Sequence, residues 1–444
     1  MVVLQERLCR LIESRWFMLA LTVFACCSTA FSIEHYAIPI FILSILFILI
    51  VSPNFLDILL PILLVNALAF RTAGQDAMLV KHVWLAVPVV VAIILHFALH
   101  RRRLTVGKSF WPLLAVSAAL LLGGFGTITK AEYLNLGALY YTVFLGVGMI
   151  FFYLWMRSRI FSTDAFDARD RLMEILCLMG VYCVFIIWEH AFRTFLAFGE
   201  MKPPVAPNDL CELLMFAIPA SFYFAVKNYK FFLLGFVFYF SMLPTRSLSA
   251  VFFGAILIAF CLWYIFCYRP EYRVLTVLIT VLCIAGAFAV VWYADILTPK
   301  GFEAFFLEEE NGRLPLFRRA IDQFLANPLF GGGVGARSDH SAFMGIAWTH
   351  NYILQILGSM GIMGLLAYGY QMIVRVRLAL CRIDYFRMAA VLSYLGILSI
   401  SMLQPGEFCP MPYELLAVCL FVFLELTENG EPPARSLNEV YFAS

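Results

Sequence analysis

Charge is what this sequence has least of. Asp, Glu, Lys and Arg make up 14% of its 444 residues, against 63% apolar residues, where soluble domains carry about 25% and about 45–50%. That scarcity excludes the polar surfaces that two or three soluble domains, the usual make-up at this length, would need. Lipid is the solvent such a composition calls for. No sign of charge prevails either: the formal net charge is +2, which excludes the basic field of a nucleic-acid binder. Metal-ligand spacing is missing. Paired histidines and His–carboxylate spacings are lacking, and Asp164, Asp167 and Asp170 alternate with arginines, so neither metal nor other cofactor is expected. The cysteines number 12, but Cys26, Cys27, Cys177, Cys183, Cys261, Cys267 and Cys283 sit inside apolar runs, as buried thiols do and a disulfide framework does not. No internal repeat is present.

What the chain has is long uncharged runs. A bilayer core needs roughly 17–25 apolar residues per helix. Candidate runs centre near residues 24, 44, 62, 90, 118, 147, 182, 219, 237, 257, 284, 361, 396 and 419, with Lys227 and Lys230 squeezing the eighth and ninth. The pattern predicts an all-α polytopic transmembrane helix bundle of about 12–14 spans. The first span follows Arg7, Arg10 and Arg15 and reads as a signal anchor rather than a cleaved signal peptide. With the N-terminus in the cytoplasm, the inner loops collect Arg101, Arg102, Arg103, Lys108, Arg157, Arg159, Arg169, Arg171, Lys227, Lys230, Arg269, Arg273, Arg375, Arg377, Arg382 and Arg387. This agrees with the positive-inside rule and places both termini in the cytoplasm. Residues 1–206 then form N-terminal transmembrane helices, 207–426 a second transmembrane region, and 427–444 a polar, disordered cytoplasmic tail.

One outer loop, from about Asp295 to Thr349 between the eleventh and twelfth spans, far exceeds the others. Loops of that length are functional or disordered. It opens with Glu308-Glu309-Glu310 and Asn311-Gly312, then Leu314 to Ala326 reads as a surface helix with Phe317, Ile321, Phe324 and Leu325 on one face. Asn327-Pro328 ends it. Gly331 to Gly335 lacks the Lys-Ser/Thr of a phosphate-binding P-loop and reads as a flexible turn. At about 100° per residue, Arg313 shares the face of Phe317 and Phe324, while Arg318 and Arg319 point elsewhere. If that apolar face packs on the protein, Arg313 is directed inward, where a guanidinium suits phosphate. Arg318 and Arg319 would then meet lipid head groups.

Three polar groups stand at outer starts of spans: Asn208-Asp209 after Pro207, Thr245-Arg246-Ser247 after Pro244, and Thr349-His350-Asn351. Helix N-termini favour a bound phosphate, though Asn208, Thr245 and Thr349 equally suit ordinary N-caps. The charged form of His350 is disfavoured at such a position, and a neutral imidazole accepts a proton from a sugar hydroxyl; the competing role is an interfacial hydrogen bond. His35, His82, His96, His100 and His190 lack this setting and read as structural. Glu174, Glu189 and Glu212 fall inside spans, as relays or ion-pair partners.

The stretch from Arg313 to Gly364 resembles the O-antigen ligase and polymerase family of bacterial membrane glycosyltransferases. The likeness rests on Gly312-Arg313, an apolar-basic helix, Asn327-Pro328-Leu329-Phe330-Gly331, Gly333-Val334-Gly335, His350-Asn351 and Gly361-Ile362-Met363-Gly364. Upstream, Thr245-Arg246-Ser247-Leu248-Ser249-Ala250 is similar to the family's Ser-Arg-rich segment, and Pro207-Asn208-Asp209 to its preceding span start. Phe317 departs from the Trp of many relatives. The resemblance implies a helical bundle in the bacterial inner membrane with a large periplasmic loop over the active site. It implies a donor glycan on undecaprenyl diphosphate, transferred without metal or nucleotide to lipid A–core (a ligase) or to another lipid-linked glycan (a polymerase). His350 matches the histidine proposed to activate the acceptor hydroxyl, and Arg246 and Arg313 match arginines thought to hold the diphosphate. Arg318, Asn208, Asp209 and Asn351 are further substrate-binding candidates, Arg318 with no clear counterpart. A lipid or polysaccharide transporter is the alternative from another class. It should show repeated halves with charge at the membrane midplane, and here the marked residues gather at the outer surface.

Overall fold

The computed structural model describes residues 2–70, 83–127, 136–293, 313–334, 348–404 and 406–428. Among them the chain is all helix and turn, with no strand. A helix lies at each of the fourteen centres read from hydropathy. Six are long and apolar enough to cross a membrane, or seven if the bent pair Gln5–Ile12 and Arg15–Ala30 is one span. The others are shorter, such as Leu56–Phe70, Phe110–Leu122 and Tyr385–Ile400. The acidic patch Glu308–Glu310, Asn311-Gly312, Gly335 and most of the polar tail lie outside the described residues.

Helix ends follow side-chain chemistry. Ser14, Asp167, Asn351 and Asp384 each accept a hydrogen bond from a first-turn backbone N–H, the N-cap arrangement that satisfies an orphan donor. Pro207 opens Pro207–Lys227, where its missing N–H costs nothing. That helix ends at Lys227, as the charge pattern requires, and Lys230–Phe240 follows after a break at Asn228.

The chain forms two compact units, each discontinuous in sequence, a partition different from a cut at residue 206. Unit 1 comprises 1–106, 153–247 and 422–444; unit 2 comprises 107–152 and 248–421. Unit 1 is built around Ala168–Phe198, which packs on Pro207–Lys227, Leu56–Phe70 and Arg15–Ala30. Several of its interior polar groups are paired. Arg171 lies 3.5 Å from Asp57, Ser52 Oγ donates to Asp57 at 2.6 Å, and Thr29 meets the Tyr182 hydroxyl at 2.9 Å. His96 engages both ring nitrogens, with Leu49 O and Trp155 Nε1, the structural role its sequence position suggested. Asp167 caps a helix and binds Arg169, and Asp170 pairs with Lys227 at 2.6 Å, so both spaced aspartates have structural partners. Partial burial pushes the Asp167 carboxyl up, but Arg169 and the Lys227 charge outweigh it and hold it below the usual range.

In unit 2 the long helix Tyr352–Leu380 is broken at Gly361, whose φ of 61° and ψ of −151° are non-helical. Breaking a helix orphans backbone groups on both sides. The segment after the loop helix Arg313–Ala326 supplies their partners. Ile362 N donates to Pro328 O at 2.9 Å and Met363 N to Leu329 O at 3.2 Å, while Gly332 N and Gly333 N donate to Gly358 O and Ser359 O at 2.8 and 2.9 Å. The described part of the glycine run is therefore a docked backbone splint and not the flexible turn its composition suggests. Close approach demands the glycines: a Cβ at Gly331 would stand 2.6 Å from Gly358 O, and one at Gly361 2.5 Å from Pro328 O. The loop helix itself lies on the long helix through buried Ala320, against Gly358.

Gly361→Ala must place a Cβ against the splint in a disfavoured backbone region, at a cost of about 1–3 kcal/mol from conformation alone. Gly369, in the same helix, has open space around it, and Ala there gains up to about 1 kcal/mol of helix propensity. Thermal unfolding in detergent should show Gly361→Ala well below wild type and Gly369→Ala at or above it.

Candidate functional site

Unit 2 holds His350, Asn351, Arg313 and Arg318. His350 precedes the broken helix with a φ of 49°, left-handed backbone that a non-glycine residue rarely adopts. It is half-buried, and its Nδ1 lies 3.1 Å from Gln404 Oε1. Asn351, not Thr349, is the N-cap: its Oδ1 accepts from Leu354 N at 2.9 Å, and its Nδ2 donates to Met402 O at 3.0 Å. Thr349 instead donates its hydroxyl to Asn351 O at 2.9 Å and its N–H to Gln355 Oε1 at 2.8 Å. Tyr352 N donates to Ser401 O at 2.9 Å. The start of the broken helix is thus stitched to the turn at 401–404. Trp348 closes one side, edge-on to Tyr141 and Phe408.

Unit 1 holds Asn208, Asp209 and Arg246. Asn208 lies in the first helical turn, with Ala206 at the cap position. Its Oδ1 accepts from Ser247 Oγ at 2.7 Å. Ser247 N in turn donates to Thr245 Oγ1 at 3.2 Å, and buried Cys211 touches Thr245 Oγ1 at 3.3 Å. Between Thr245 and Ser247 stands Arg246, also left-handed, with a φ of 56° and ψ of 17°. Its guanidinium is exposed and donates to Met201 O at 3.1 Å. Among the described residues the non-glycine positive-φ positions are Ser32, Arg246 and His350. Two of these three are the residues that sequence position singled out. Strained backbone of this kind costs on the order of 1–3 kcal/mol and clusters at functional sites.

The loop helix starts at Arg313. Its inward face runs through Phe317, Ala320 and Phe324; Ile321 and Leu325 are 43% and 66% exposed. The docking face is therefore rotated from the four-residue apolar stripe read in the sequence, because Ala320 fits against Gly358 where a larger side chain would not. Arg318 is exposed and Arg319 half-buried.

Sequence reasoning missed a buried charge cluster in unit 2. Arg375, assigned above to an inner loop, is 4% exposed and makes an ion pair with Glu407 and a second one, at 2.8 Å, with Glu414. The Tyr394 hydroxyl accepts from Arg375 at 2.9 Å and donates to Glu407, and Gln371 Nε2 donates to Glu414 at 3.1 Å. Arg171 and Arg387, likewise assigned to loops, are each 1% exposed. The available signal was the charge itself, since Glu407 and Glu414 stand just before a nearly uncharged span. Of the span glutamates, Glu174 pairs with Arg15 at 3.0 Å and Glu189 with Arg193.

Long apolar helices and charged groups kept to helix ends and paired interiors define a multi-helix membrane protein. The family model described as O-antigen ligase matches residues 231–369, the stretch that carries Arg246, Arg313, Arg318, His350 and Asn351. Over this stretch the chain is thus similar to the O-antigen ligase family, a family of ligase and polymerase type. No curated protein and no solved structure matches it.

Arg375→Met should destabilise the protein by about 3–5 kcal/mol, because two carboxylates lose their buried partner. Adding Glu407→Gln and Glu414→Gln should recover most of that loss. Chemical unfolding of the single and triple variants checks both outcomes.

Proposed function

We propose that the chain is a membrane glycosyltransferase of the O-antigen ligase type, acting at the periplasmic face of the bacterial inner membrane with both termini in the cytoplasm. The proposal keeps the 12–14 spans and the periplasmic placement of the 295–349 loop. The donor is a glycan on undecaprenyl diphosphate, and the acceptor is a hydroxyl of lipid A–core. The observation that carries the reading is the left-handed backbone at both Arg246 and His350, the two residues marked by position and by family resemblance, inside the matched segment.

In the proposed reaction the acceptor oxygen attacks the anomeric carbon as its proton passes to the His350 imidazole. The bond from that carbon to the phosphate oxygen breaks, and undecaprenyl diphosphate departs with the electron pair. Diphosphate is already a good leaving group, so the protein's part is charge stabilisation and a positioned base. Arg246 and Arg313 supply the positive charge; Asn208, Asp209, Asn351 and Arg318 shape the substrate surface.

A gel of surface polysaccharide from a deletion strain of a Gram-negative host tests the reading. Loss of a ligase leaves bare core and full-length polymer on the carrier; cores capped by one repeat would make the chain a polymerase instead. His350→Ala should fail to complement while retaining donor binding, and normal complementation removes His350 from the mechanism.

Arg246→Ala should weaken donor binding by about 1.5–3 kcal/mol, the range for hydrogen bonds to charged groups, roughly tenfold to a hundredfold in affinity. Lys should restore only part, lacking the bidentate fork. On the loop helix, Arg313→Ala should be more damaging than Arg318→Ala, and Arg319→Ala the mildest, when turnover is measured at matched expression.

A further inference from the structure

The turn that follows Tyr385–Ile400 has no role in the reaction described above, yet it is among the most closely tied segments of unit 2. Ser401 Oγ donates to Ile397 O at 2.7 Å and accepts from Glu407 N at 3.1 Å. Leu403 N donates to Ile400 O at 2.9 Å, and Asn351 Nδ2 reaches Met402 O. Glu407, at the far side of the turn, is held by the buried Arg375 and by Tyr394. All of this fixes one side chain, Gln404, which is 3% exposed and whose Oε1 lies 3.1 Å from His350 Nδ1.

An amide oxygen only accepts hydrogen bonds, so the Nδ1 facing it must carry the hydrogen. In a neutral imidazole the lone pair then sits on Nε2. Free histidine prefers the opposite tautomer, with its hydrogen on Nε2. We propose that Gln404 is a positioning residue: it sets the tautomer and ring orientation of His350 so that Nε2 is the basic nitrogen in glycan transfer. The inference rests on the reading of His350 as the base. Gln404 contributes direction without charge. It fixes the ring as a carboxylate partner would, but places no negative charge beside it.

The full-length purified protein provides the tests. Nitrogen-15 NMR of histidine-labelled wild type should show His350 predominantly as the Nδ1–H tautomer, assigned by its loss in His350→Ala. A predominantly Nε2–H ring overturns the proposal whatever the Gln404 variants do. In transfer assays with an undecaprenyl-diphosphate-linked glycan, Gln404→Met should lower kcat about tenfold or more, with the donor KM unchanged. Gln404→Glu keeps an acceptor at the same place, so it should retain more activity than Gln404→Met. Its carboxylate favours the charged imidazole, so the acid limb of its pH profile should move to higher pH. A merely structural role predicts neither the rescue nor the shift. If His350→Ala itself turns over normally, the reading of the base fails. If His350→Ala is dead while Gln404→Met keeps wild-type kcat and pH profile, this inference alone is overturned.

Discussion

Arg375 lies between two carboxylates in the interior of unit 2, and much of that unit's order follows from holding it there. A guanidinium away from water requires partners with defined geometry. Glu407 and Glu414 provide them from a segment that begins only a few residues beyond the Ser401 turn. The ion pairs therefore fix the 406–414 segment against Tyr352–Leu380, and the Ser401 turn joins the same segment to the helix start at Tyr352. One buried cation thus sets the relation between a helix, the turn beside it and the histidine that precedes it.

Unit 1 solves a similar problem by other means. Pro207 starts one helix, and Ser247 ties that helix to the short turn carrying Arg246. The turn is held by hydroxyls and a thiol instead of charges, with Thr245 bonded to Met242 O at 2.6 Å. Neutral groups suffice here because the charged residue of this turn, Arg246, stays exposed and needs no internal counter-ion. Its guanidinium rests on the Met201 carbonyl, a contact that a stronger anionic ligand would readily replace.

The helices were legible in the sequence because lipid leaves the backbone few choices: in this solvent uncharged runs become helices, and a helix stands at each centre hydropathy marked. Lengths were less legible, since capping and breaks such as the one at Gly361 interrupt runs that hydropathy alone joins. The fate of individual arginines was not legible at all. Arg375 and Arg377 look alike in a charge count, yet only one faces Glu414, 39 residues away in the chain. At the candidate site, His350 and Arg246 were marked by their place at span starts, while their left-handed backbone and the Gln404 partner depend on contacts no local pattern encodes. The loop helix shows the same limit on a smaller scale. A hydrophobic stripe weights Ile321 and Leu325 heavily, but the tightest packing is made by Ala320, which that measure barely registers.

The splint across the Gly361 break has a consequence for how the protein exchanges hydrogen with solvent. Amides inside a long helix ordinarily exchange only when the helix itself opens. The N–H groups of Ile362 and Met363 are different, since their acceptors are Pro328 and Leu329 in the loop segment. Their deuterium uptake is governed by detachment of the loop, whatever the stability of the flanking helical turns. Two adjacent amides deep in one helix therefore report on a segment some thirty residues earlier in the chain, a native gauge of whether the loop is seated.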